Sequence, residues 1–153
     1  MFRLSKMADY GILMLVYVAG SEAGSLHTAR DLAAHSKLPV TTVSKVVKKL
    51  VREGFLMSKR GMRGGYTLAR PATAIGMVEV ITALEGPVAL TACAAHQSRE
   101  ATCDIERTCP ARQPWQRLNA LLVGALANIT LADMVSQAPA RPAPTLTPLR
   151  SIS

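Results

Sequence analysis

No apolar run in this sequence is long enough to cross a bilayer: the longest, residues 10–20, has eleven residues, against about 20 for a membrane-spanning helix. Cysteine is equally sparse. The three that occur, Cys93, Cys103 and Cys109, cannot all pair within one chain and share one short segment, which excludes a secreted disulfide scaffold. The composition, with 10 Gly, 9 Pro and 18% charged residues in 153, is neither collagen-like nor that of a coiled coil. One globular domain with modest additions remains.

Acidic residues are few as well, 10 against 18 Lys and Arg, for a formal charge of +8. The excess is confined to the first half: residues 1–70 hold 12 basic and 4 acidic side chains, and residues 71–153 hold 6 of each. Residues 37–70 gather nine basic side chains around one acid, Glu53, a positive field suited to a polyanion. Near the N-terminus, Arg3 and Lys6 precede an apolar stretch, and small residues follow at 21–24, the outline of a signal peptide. Asp9 and Tyr10 interrupt that outline, and Ile12, Leu15, Val16 and Ala19 fall on one helical face, so a buried first helix over residues 5–18 is expected instead.

Thr28 and Asp31 have the spacing of a capping box and open a short helix through His35. After a turn at residues 36–39, a second helix is expected from Val40 to Glu53. Its apolar stripe is Val43, Val46, Val47, Leu50 and Val51, and its opposite face carries Thr41, Thr42, Ser44, Lys45, Lys48, Lys49 and Arg52. This is a helix-turn-helix pattern, whose second helix enters the major groove of DNA. Residues 55–59 and 66–69 read as strands around a glycine-rich turn, residues 60–65, with Arg60 and Arg63 at its tip. Such a wing brings basic side chains close to phosphates or a narrow minor groove.

Beyond Arg70, a helix is expected over residues 75–85, with Ile75, Val78, Ile81 and Leu84 on one side and Gly86 and Pro87 as its stop. A long helix follows Pro114, with Trp115, Leu118, Leu121, Leu122, Ala125, Leu126 and Ile129 and no ionisable side chain between Arg117 and Asp133. Its face is too apolar to leave in water. Thr130 to Asp133 caps a last short turn, and Pro139, Pro142, Pro144 and Pro148 mark a disordered tail. Five segments result: a DNA-binding domain (1–70), a connecting helix (71–91), a cysteine-rich loop (92–113), a dimerisation helix (114–135) and the tail (136–153). The fold class expected is mainly α with a small β-hairpin wing, a winged helix-turn-helix plus a long C-terminal helix.

The cysteines are separated by nine and five residues, with His96, Asp104 and Glu106 among them. Grouped thiols suit a soft metal or an iron–sulfur cluster; a thiol redox switch and unconnected cysteines are the other readings, and no C-x-x-C pair supports a zinc ribbon. No nucleophile and base, phosphate-cradling loop or paired carboxylates point to catalysis, and residues 61–65 lack the Lys-Ser/Thr of a P-loop.

Read together, LSKMADY at 4–10, VSKV at 43–46, RGMRGGYTLAR at 60–70, Glu85-Gly-Pro87 and the three downstream cysteines resemble the Rrf2 family of bacterial winged-helix regulators over residues 2–135. LEGPVALTAC at 84–93, CDIE at 103–106 and TLADM at 130–134 look most like the branch that regulates the SUF system of iron–sulfur cluster assembly. The resemblance implies a cytoplasmic homodimer, joined through the long helix, that binds a pseudo-palindromic DNA operator as a repressor. It also implies that Cys93, Cys103 and Cys109 hold an iron–sulfur cluster, 2Fe–2S with 4Fe–4S as the alternative. The resemblance leaves the fourth ligand open: Asp9 of the partner subunit matches a position from which nitric-oxide-sensing relatives supply a carboxylate, and His96 and Glu106 are local alternatives. The gap between Cys93 and Cys103 exceeds the family's usual one, an extension whose closure costs only about 0.6 kcal/mol per doubling of loop length.

On this reading the candidate DNA-contacting residues are Thr41, Thr42, Ser44, Lys45, Lys48, Lys49, Arg60 and Arg63, with no membrane and no small-molecule substrate. The rivals are a cluster- or zinc-carrying interaction protein that binds RNA or an acidic partner, an iron–sulfur transfer or redox enzyme, and a cluster-free regulator answering to thiol oxidation or nitric oxide.

Overall fold

A computed structural model describes residues 4–95, 103–105 and 107–136. In chain order the elements are α1 (Lys6–Ala19), α2 (Ala29–Ser36), α3 (Val40–Arg52), β1 (Leu56–Lys59), β2 (Gly65–Leu68), α4 (Met77–Glu85), α5 (Arg112–Ala127) and α6 (Leu131–Val135), with short 3-10 turns at Ala72–Ala74 and Ala92–Ala94. The fold is the mainly helical one expected, with a two-stranded antiparallel hairpin paired from Leu56 with Leu68 to Lys59 with Gly65.

Local sequence chemistry sets the boundaries. The Thr28 hydroxyl accepts from Asp31 N at 3.1 Å and the Asp31 carboxylate accepts from Thr28 N at 2.8 Å, satisfying two of the amides that a helix start leaves unpaired. Lys37, at φ 56°, ends α2 in the left-handed region, and α3 begins three residues later behind Pro39. Val43, Val46, Val47 and Leu50 then enter a core with Leu32, Ala33, Met14, Leu15, Phe55 and Leu56.

The inward face of α1 differs from the one expected. Its buried residues are Ala8, Gly11, Met14, Leu15 and Val18, whereas Ile12, Val16 and Ala19 are half-buried. The cause is close packing: a Cβ on Gly11 would stand 2.6 Å from Leu84 Cδ1, so the small residues Ala8 and Gly11 mark the face where α4 approaches. In α4, Met77, Val80, Ile81 and Leu84 are buried. Val78, expected there, is half-buried, and Ile75 is buried just ahead of the helix.

Two backbone bridges join distant segments. His27 pairs with Tyr66 (N to O 3.0 and 2.8 Å), tying the wing to the segment before α2. Gly76 pairs with Thr130: Met77 N donates to Ile129 O at 2.9 Å and Leu131 N to Ile75 O at 2.8 Å. The second bridge returns the chain to the helical core, where Leu131 is fully buried and α6 packs on α1.

Candidate nucleic-acid interface and cysteine segment

The outward face of α3 carries Val40, Thr41, Lys45, Lys48 and Arg52, all exposed, flanked by half-buried Thr42, Ser44 and Lys49. Lys49 and Arg52 each reach Glu53 at 3.6 Å, whereas among the described residues Lys45 and Lys48 form no ion pair, nor do Arg60 and Arg63 on the wing. Unpaired cations on two adjacent elements are free to meet phosphates. Arg70, in the same basic stretch, instead donates to Glu79 at 2.6 Å and lies over the Phe55 ring, which commits it to holding the wing's exit on α4. Val40 has no polarity to mark it in the sequence; its place outside the 43, 46, 47, 50 stripe is what sets it apart.

The turn of the wing admits only glycine at its tightest positions. A Cβ on Gly64 would lie 2.3 Å from Lys59 O, and one on Gly65 2.9 Å from His27 O. Gly61 has φ +116°, a conformation side chains disfavour. Arg60, Met62 and Arg63, at the tip, are all exposed.

The cysteine segment follows α4. Glu85, the last residue of α4, accepts from Ser5 N at 3.1 Å and from the Ser5 hydroxyl, fastening this end of α4 to the start of α1. Gly86, at φ +95°, turns the chain toward α5, where Asn119 grips it: Nδ2 donates to Val88 O at 3.2 Å and Oδ1 accepts from Leu90 N at 3.0 Å. Cys93 follows, buried, with its sulfur 3.2 Å from the Thr91 hydroxyl. Cys103 and Cys109 are half-buried, and all three thiols are free. Among the described residues, no three Cys, His, Asp or Glu side chains converge as a metal site. Asp9 is exposed on the first turn of α1, and His96 and Glu106 lie outside the described residues. The donor set thus suits a cluster in kind, three thiols in one segment, while the arrangement described is open.

Helix α5 has no buried residue. Trp115, Leu118 and Leu121 stand 40%, 47% and 69% exposed, an apolar face left uncovered among the described residues. No helix among the described residues is long and apolar enough to cross a membrane.

A recognition helix held by a shorter helix across a three-residue turn, beside a basic hairpin, is a winged helix-turn-helix, built to bind double-stranded DNA. Residues 4–137 match the Rrf2 family, described as iron-dependent transcriptional regulators, and the chain belongs to that family. It is accordingly a DNA-binding transcription regulator and not an enzyme. Solved structures with the same fold include CymR, the global cysteine regulator of B. subtilis (TM-score 0.70, 24% identity, covering 91% of this chain and 100% of that one). The oxidized form of S. aureus CymR matches at TM-score 0.65 and 24% identity, over 90% and 99% of the two chains, and T. potens IscR at 0.67 and 22%, over 88% and 86%.

Proposed function

We propose that this regulator is a cytoplasmic homodimer that represses genes of iron–sulfur cluster assembly, with its operator affinity set by a cluster on Cys93, Cys103 and Cys109. The observation that carries the DNA contact is the set of unpaired cations, Lys45, Lys48, Arg60 and Arg63, on α3 and the wing. Thr41, Thr42, Ser44 and Lys49 complete the groove-facing set, with the wing over the flanking backbone. The uncovered apolar face of α5 supports pairing with a second copy.

The cluster reading is supported by three free thiols in the segment that Asn119 and Glu85 connect to α5 and α1. A 2Fe–2S cluster, or 4Fe–4S as the alternative, would be held by these sulfurs, with Asp9 of the partner subunit, His96 or Glu106 as fourth ligand. Holding three sulfurs separated by nine and five residues would constrain and order the chain between them. Such ordering would bear on DNA affinity by restraining the start of α1 through Glu85 and Ser5.

Absorption spectra with iron and sulfide analysis, on protein purified without oxygen and on the Cys103→Ala variant, test this. Visible charge-transfer bands with stoichiometric iron and sulfide, lost in the variant, are expected. A colourless protein after reconstitution would favour the second reading, a thiol-based regulator, which the separate half-buried positions of Cys103 and Cys109 support.

A further inference from the structure

We infer that Val40 reads the 5-methyl group of a pyrimidine in the major groove, which in an unmodified operator is thymine. The inference rests on α3 lying in that groove. Val40 is the first residue of α3 and is 44% exposed. Neither core packing nor capping accounts for it: the packing face is complete in Val43, Val46, Val47 and Leu50, and a valine offers no hydrogen bond to the helix start. It sits beside Thr41 and one turn before Ser44, at the end of the helix that reaches deepest in a helix-turn-helix docking.

The polar members of this face can address phosphates and the hydrogen-bonding edges of bases, and the apolar feature that a base edge offers there is the thymine methyl. An isopropyl group set against that methyl removes both from water. Cytosine, which presents an amino group at the neighbouring position, leaves the isopropyl group beside a polar donor. The discrimination expected from burying one methyl is about four-fold in affinity.

Duplexes selected by the full-length protein from a random-sequence pool provide the probe, rebuilt with deoxyuridine replacing thymidine at one position at a time. The substitution removes only the methyl. At one thymine in each half-site, deoxyuridine is expected to weaken the wild type about four-fold, while Val40→Ala binds the two duplexes equally and at the weaker level. A second arm places 5-methylcytosine at each cytosine; a gain made by the wild type and lost in the variant would identify that base as the methyl's source. Equal responses of wild type and variant at every position in both arms would overturn the inference while leaving DNA binding intact. Failure to select any preferred sequence would remove the DNA-reading premise, and the inference with it. Alanine is the better helix former, so a matching thermal melt verifies that the variant is folded.

Discussion

At the scale of single residues, Asp31 shows how one carboxylate does two local jobs. Its bonds from the Thr28 hydroxyl and from Thr28 N hold its pKa below the usual value of 3.8, with the charges of His27 and His35 adding to the same effect. A carboxyl with a folded pKa below its unfolded one contributes stability that is fully present above pH 3.8 and lost as pH falls through the folded value. Asp31→Asn should therefore lower the melting temperature at pH 7 and differ less from wild type near pH 3, as paired thermal melts would register. Arg63 makes a different kind of contribution. Exposed, unpaired and on the wing instead of the proposed recognition helix, it should bind phosphate without regard to sequence. Arg63→Ala is expected to weaken binding to specific and random duplexes alike and to reduce the slope of log affinity against log salt by about 1. Fluorescence anisotropy over a salt series checks it, and an unchanged slope would remove the wing from the DNA.

At the scale of elements, α2, α3 and the wing were legible in the sequence because their signals are local: a capping box, a valine stripe, a turn of glycines between short strands. What escaped was made by residues far apart along the chain. The pairing of His27 with Tyr66 leaves no mark on hydrophobic periodicity, and neither does that of Gly76 with Thr130. The inward face of α1 was displaced for a related reason, since Gly11 counts for little in an apolar pattern yet lies where Leu84 comes nearest. In the candidate site, Lys45, Lys48, Arg60 and Arg63 were legible from charge, whereas Val40, the base contact we propose, was not, because an exposed valine is indistinguishable by composition from a buried one. The Asn119 grip was likewise unreadable, being an amide's two bonds to a remote backbone. Asn119→Ala should free the segment that carries Cys93. Iodoacetamide labelling followed by mass spectrometry is expected to modify Cys93 several-fold faster in the variant, with Cys109 as internal reference; equal rates would mean that packing alone buries this thiol.

At the scale of the whole molecule, charge and apolar surface are separated: the cations crowd onto α3 and the wing, and the uncovered leucines onto α5. Leu121, 69% exposed, contributes little to the stability of one chain and should matter only to a pair. Leu121→Glu is expected to shift the protein from dimer to monomer in sedimentation velocity while preserving helical content. Leu131→Ala, by contrast, empties a fully buried position and should cost about 2–5 kcal/mol of stability in denaturant unfolding, whatever the state of association. If Leu121→Glu unfolded the chain, α5 would belong to its core after all.

The bridge between Gly76 and Thr130 has a further consequence, for ancestry. Beyond α4, which Leu84 and Glu85 hold on α1, the chain passes through the cysteine segment and α5 and rejoins the helical core at that bridge. A lineage could therefore lengthen, shorten or rewrite that excursion without disturbing the docking of α6 or the groove-reading surface. The extended spacing between Cys93 and Cys103 falls inside it, where natural variation is cheapest to accept.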